Sequence, residues 1–247
     1  MDVGTLATRI HTELRAVGTP DRAVNEKEYL KSDLEFLGAA MPEIKRATKV
    51  IARDYPDLSR TDLLALVRRL WKPGIFELRM AAVSILERYE ALLTPPDLKL
   101  IERLLRQSKT WALVDPLAAS VVGRMAERDP VVAGTLDRWA ADSDFWIRRS
   151  ALLALLKPLR AGEGDFDRFG RYADTMLEEK EFFIRKAIGW VLRETAKTQP
   201  GLVAAWVGPR TDRMSGVTIR EAVKRLPPQV GDAFLQAYRD KRPALSD

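Results

Sequence analysis

Apolar residues recur at i, i+3, i+4 and i+7 in "DLLALVRRLW" (62–71), "FELRMAAVSILERYEALL" (76–93), "DLKLIERLLRQ" (97–107) and "FFIRKAIGWVLRETAK" (182–197). That spacing puts one apolar stripe on a helix. Between these segments sit short breakers: "DYPDLSRTD", "WKPG", "LTPPD", "ERDP", "AGEGD" and "TQPG". No stretch alternates with period two, so the pattern predicts an all-α chain. Ser59, Thr61 and Asp62 stand ahead of an apolar run and mark a helix start. Pro95 and Pro96 occupy places where a helix can begin.

The helical segments repeat. Apolar leads fall at Ile44, Leu78, Leu113, Ile147, Ile184 and Ile219, separated by 34, 35, 34, 37 and 35 residues. A basic residue follows the lead in five of the six segments, as Lys45, Arg79, Arg148, Arg185 and Arg220. Small residues come two positions later, as Ala47, Ala81, Ser150, Ala187 and Ala222, which lets neighbouring helices approach closely. A helical repeat of this length means helix pairs stacked in a solenoid. The basic positions either cover helix ends and acidic neighbours or form a charged ridge for a polyanion.

Composition narrows the chemistry. About half of the 247 residues are apolar, enough for a sizeable core, and they form no run near the ~20 residues that span a bilayer. The first residues lack the pattern of a signal peptide. With no cysteine there are no disulfides, thiolate metal sites or cysteine nucleophiles. The single histidine, His11, leaves no base for a Ser-His-Asp or Cys-His scheme and no histidine metal cluster. Chemistry must therefore run on carboxylates, arginines, lysines, tyrosines and tryptophans. The net charge of +6 favours a polyanionic partner.

The third segment breaks the pattern. Two residues after the lead, the register reads Arg46, Met80, Asp115, Arg149, Lys186 and Glu221. Asp115 thus shares a ridge with Arg149 and Lys186, where a carboxylate opposes phosphate binding and needs another reason. Trp111 lies one helical turn before it, and Trp190 one turn after Lys186. Indole faces and a carboxylate together suit a cation, and an arginine beside them suits a phosphate.

These segments resemble the HEAT-like-repeat alkylpurine DNA glycosylases, the AlkD-type DNA alkylation repair enzymes, over roughly Tyr29 to Arg225. The resemblance is carried by "YLKSDLEFLG" (29–38), "SKTWALVD" (108–115), "SDFWIRRSAL" (143–152) and "KEFFIRKAIGWVLRETAKTQP" (180–200). It implies a right-handed superhelical solenoid of about six repeats forming a single domain over 1–247, with duplex DNA as partner and no cofactor or metal. The implied activity is hydrolysis of the N-glycosidic bond of cationic N3- and N7-alkylated purines, without base flipping. Asp115 falls on the family's catalytic aspartate, Trp111 and Trp190 on its lesion-contacting tryptophans, and Arg149 on its active-site arginine. Tyr29 matches an aromatic near the lesion, while Lys31, Arg148 and Lys186 are expected to contact DNA, with Arg149 also reaching its backbone. Members of the family carry a second tryptophan and a polar residue near the catalytic segment, where this chain has Thr110, Ala112 and Leu113. A monomer in a bacterial cytoplasm, associated with the nucleoid, completes the expectation. Two other readings are a non-catalytic binder of distorted DNA with the same fold and a helical scaffold for proteins. Retention of the acid, both tryptophans and the arginine favours the enzyme.

Overall fold

The computed structural model describes residues 2–241, so residue 1 and residues 242–247 of the expected single domain lie outside the described residues. The chain divides into two compact units, the first ending at Met125 and the second beginning at Ala126. Beyond one isolated parallel bridge, Glu35 to Ile75, the described residues form helices, turns and loops. No helix among them is long and apolar enough to cross a membrane.

The first unit contains α1 (Val3–Val17), α2 (Pro20–Leu30), α3 (Met41–Asp54), α4 (Arg60–Trp71), α5 (Phe76–Arg88), α6 (Leu98–Ser108) and α7 (Trp111–Pro116). A π-helical stretch, Leu117–Val122, leads from α7 into α8 (Gly123–Arg128). Helices α3, α5 and α7 pack side by side in one layer, and α4 and α6 pack behind α5 and α7. The second unit contains α9 (Val132–Ala140), α10 (Phe145–Ala154), α11 (Leu156–Ala161), α12 (Phe166–Met176), α13 (Phe182–Thr195), α14 (Pro200–Val207), α15 (Gly216–Ala222) and α16 (Pro228–Asp240). There α10, α13 and α15 form the corresponding layer.

The helices begin where the side chains say they should. Ser59 accepts from Asp62 N–H, Asp144 from Trp146 N–H, Asp165 from Arg168 N–H and Ser215 from Thr218 N–H, each satisfying a donor of the first turn. All six apolar leads sit in the first turn of the layer helices α3, α5, α7, α10, α13 and α15, and each is 2% exposed or less. The small residues Ala47, Ala81, Ser150, Ala187 and Ala222 are buried beside them.

The basic residues largely link one repeat to the next. Arg60 clasps Asp97 37 residues on, Arg148 clasps Glu179 31 on, and Lys186 reaches Glu221 35 on. Arg210 pairs with Asp174 36 back, and Arg213 with Glu178 35 back. Arg79 and Arg185 donate to the carbonyls of Gln107 and Glu179. Of the two roles open to these positions, most of them cover helix ends and acidic neighbours.

Candidate functional site

In the first unit the loop of "YLKSDLEFLG" is shaped by backbone chemistry. Lys31 caps α2 in the left-handed region (φ 47°), its N–H closing on the carbonyls of Glu28 and Lys27. Glu35 N–H donates to Gly74 O at 3.1 Å and Phe76 N–H to Glu35 O at 2.8 Å, while Phe36 stacks on Phe76 at 4.9 Å. Glu77, fully buried in α5, accepts from the amides of Leu37 (2.9 Å), Gly38 (2.6 Å) and Ala39 (3.2 Å). Three amide donors compensate the burial of its carboxylate. Gly38 takes φ 79°, and a Cβ there would lie 2.0 Å from Thr19 O, so no other residue fits. This frame holds the end of α2, where Tyr29 stands 73% exposed with its ring edge-on to Trp111, centroids 6.1 Å apart and planes at 87°.

Trp111 is the first residue of α7, and Thr110 caps the helix by accepting from Ala112 N–H. Leu113 and Val114 are buried, while Trp111 and Asp115 are half-buried at i and i+4. Pro116 lies inside the helix and has no N–H to return to the Ala112 carbonyl. The ladder then widens: Gly123 N–H donates to Ala118 O, five residues back. Such wide turns are rare and recur at functional sites. The first unit therefore brings together Tyr29 and Trp111, with Asp115 one turn along, and Lys31 exposed just beyond Tyr29.

The second unit carries Arg148, Arg149, Lys186 and Trp190. Arg148 spends its guanidinium internally: Nε and Nη2 hold Glu179 at 3.0 and 2.7 Å, and Nη1 donates to the carbonyls of Asp142 and Ser143. Arg149 is 3% exposed, donates from Nη1 to Phe183 O at 2.5 Å and lies over the Phe183 ring. This seat differs from the surface position expected for a phosphate contact, because the side chain runs inward to the start of α13. Lys186 is half-exposed, with Nζ 2.6 Å from Glu221 Oε1. Trp190 is half-buried one turn further along α13.

Glu221 is the organising residue there, and its sequence neighbours do not reveal it. Its buried carboxylate takes Lys186 and Lys224 on one oxygen, each at 2.6 Å, and Arg193 on the other. Burial alone pushes this carboxyl upward. Hydrogen bonds from Lys186 and Lys224 and the charge of Arg193 override it and hold the group at about 2, against the ordinary 4.5. Glu77 is a second such residue; the one available signal is an acid among the buried positions of an apolar helix.

The chain is similar in fold to several solved structures. A protein from Enterococcus faecalis described as a predicted DNA alkylation repair enzyme superposes with a TM-score of 0.75 at 22% identity, over 85% of this chain and 97% of that one. AlkD2 from Streptococcus mutans gives 0.65 at 15%, over 91% and 99%, and smu.31 from Streptococcus mutans UA159 gives 0.61 at 16%, over 90% and 100%. No curated protein matches the chain. The family model for DNA alkylation repair enzymes matches residues 10–226, which takes in Tyr29, Trp111, Asp115, Arg149 and Trp190, and the chain belongs to that family.

Proposed function

We propose that this chain is a DNA glycosylase that releases cationic N3- and N7-alkylated purines from duplex DNA, without metal or cofactor and without extruding the base. The observation that carries the reading is the edge-on pair of Tyr29 and Trp111 with Asp115 one helical turn beyond, in a chain of the DNA alkylation repair family. An alkylated purine already bears positive charge and leaves without protonation. The glycosidic bond breaks as positive charge develops on the sugar. Asp115 stabilises that charge and orients the water that adds to the anomeric carbon, the water's proton passing to solvent. The ring face of Trp111 attracts the cationic base. Trp190 enters through the family resemblance and takes the same role from α13. Arg149 enters the same way, but its hydrogen bond to Phe183 O supports a positioning role at the start of that helix. The expectations of a monomer and of a bacterial, nucleoid-associated cytoplasmic protein fit this reading and belong to the proposal.

Asp115→Asn tests it, because the change keeps the shape and removes the charge. Single-turnover release of 7-methylguanine from a duplex should fall at least ~100-fold, as for the loss of one preorganised electrostatic stabiliser. Binding of undamaged duplex should hold or tighten. Near-parental release by the variant rules out Asp115 as the catalytic acid. Release and duplex binding lost together mark damage to the fold instead of the loss of one charge.

A further inference from the structure

Two acids occupy the register that elsewhere carries Arg46, Met80, Arg149 and Lys186: Asp115 in the third repeat and Glu221 in the sixth. The proposed reaction uses the first and gives the second no part. Glu221 lies on α15 and is 5% exposed. Its carboxylate takes Lys186 and Lys224 on one oxygen and Arg193 on the other.

The surroundings of this acid lead to Trp190. On α13, Lys186 stands four residues before Trp190 and Arg193 three after it. At 3.6 residues per turn they fall about 40° and 60° from Trp190, on the same flank of the helix, and side chains at these spacings are surface neighbours. Gly189 faces that flank too, and a Cβ added there would lie 2.6 Å from Glu221 Cβ. Helix α15 therefore meets α13 beside the half-buried indole, and Glu221 draws the heads of both flanking cations onto itself.

Charge decides what Trp190 can accept. An indole face attracts a cation, and like charge nearby opposes the attraction. Without Glu221, Lys186, Lys224 and Arg193 would set three positive charges near the ring, with only Arg193 keeping another acid, Glu194, at 3.4 Å. With Glu221 ionised the group is net positive by two (three cations less one carboxylate), and the two cations flanking the ring are turned toward α15. A brace between two helices needs only packing, whereas a carboxylate that gathers cations beside a cation-binding ring also sets the field there.

We propose that Glu221 determines specificity for charged bases: it ties Lys186 and Arg193 to α15 and offsets their charge, so that Trp190 takes a cationic purine in preference to a neutral one. The role rests on the reading of Trp190 as a contact of the alkylated base. Glu221 acts through these neighbours and is a positioning residue. A unit charge about 10 Å from the base, acting through an effective dielectric of about 25, changes affinity for a cation about tenfold.

The test compares binding to two short duplexes that differ by one charge. One carries 7-methylguanine on a sugar fluorinated at C2′, which resists glycosidic cleavage and keeps the base in place. The other carries 7-deaza-7-methylguanine on the same sugar, which keeps the methyl group and is neutral. The ratio of the two affinities reads charge at the base, because lost packing or lost phosphate contacts lower both alike. Glu221→Gln should reduce the ratio about tenfold. Glu221→Asp keeps the charge and should keep most of the ratio. Glu221→Gln/Lys224→Gln restores the parental net charge and should recover most of the lost preference. Circular dichroism of each variant at the assay temperature reports that the fold is intact. An unchanged ratio in Glu221→Gln, or binding to both duplexes weakened by the same factor, overturns the proposal and leaves Glu221 a brace between α13 and α15. A ratio that stays low in the double variant overturns it too, since charge is then not the cause. A parent that prefers the cationic duplex but releases no 7-methylguanine refutes the glycosylase reading and leaves this role standing. A parent with equal affinity for the two duplexes overturns the role of Glu221, and release of 7-methylguanine then decides the glycosylase reading separately.

Discussion

Replacing Glu221 by Gln should destabilise the second unit by an amount that depends on pH. The parent carboxylate sits among Lys186, Lys224 and Arg193 with a pKa of about 2, against the ordinary 4.5. That drop corresponds to about 3 kcal/mol at 1.36 kcal/mol per tenfold. The figure is an upper one, because the Lys186 and Lys224 side chains are 41% and 52% exposed and water screens them. Glutamine keeps the shape and one acceptor oxygen, so we expect a loss of ~2–3 kcal/mol at neutral pH. In a chain of this length that lowers the melting temperature by roughly 4–12 °C. A carboxyl whose pKa is lowered by folding stabilises fully above its unfolded value and loses that contribution as pH falls through its folded value. The gap between parent and variant should therefore be constant from neutrality down to about pH 5, narrow below 4.5 and close near pH 2. Urea unfolding followed by circular dichroism across that range measures it. A gap that persists unchanged at pH 2 would show that packing, and not charge, sets the effect. No gap at pH 7 would show that the three cations do not depend on this acid.

Three other outcomes follow from the geometry. Glu77→Ala leaves the amides of Leu37, Gly38 and Ala39 without their acceptor and should cost about 3 kcal/mol or more in urea unfolding; a cost below ~1 kcal/mol would mean the loop re-forms its bonds elsewhere. Gly189→Ala puts a Cβ 2.6 Å from Glu221 Cβ and 2.8 Å from Thr218 O, so α13 and α15 must separate at a cost of ~2–3 kcal/mol, and an unchanged melting temperature refutes that contact. Trp111→Ala should slow 7-methylguanine release about tenfold through loss of a cation–π contact of ~1–2 kcal/mol, with release of a neutral lesion unaffected as the discriminating control.

The repeat was legible because its signal is local. Ile44, Leu78, Leu113, Ile147, Ile184 and Ile219 are apolar, evenly spaced and buried at helix starts, and hydrophobic periodicity reports that directly. The placing of charge was not legible. Arg148 and Lys186 look alike in sequence to Lys45, and what separates them is an acid some 31–35 residues away that only stacking brings near. Arg149 shows the same limit. Its helical register predicts a surface, whereas the residue is 3% exposed, donates to Phe183 O and lies over the Phe183 ring. Tyr29 and Trp111 could be named from family resemblance, yet their contact depends on a loop held by Glu77, and no spacing rule links residue 77 to residues 37–39.

The wide stretch after Pro116 bears on how this segment tolerates changes of length. An α-helical ladder closes on the fourth residue back and this one on the fifth, so Leu117–Val122 carries one residue more than an α-helical ladder would between the same closures. Deleting a single residue there can be absorbed by a return to ordinary closure, with Trp111 and Asp115 upstream keeping their spacing. The same deletion in α13 has no slack to draw on. It would turn everything beyond it by about 100°, a full side-chain step at 3.6 residues per turn, and carry the buried Val191 and Leu192 out of the core. Insertions and deletions among relatives should therefore be borne in the first of these two helices and excluded from the second.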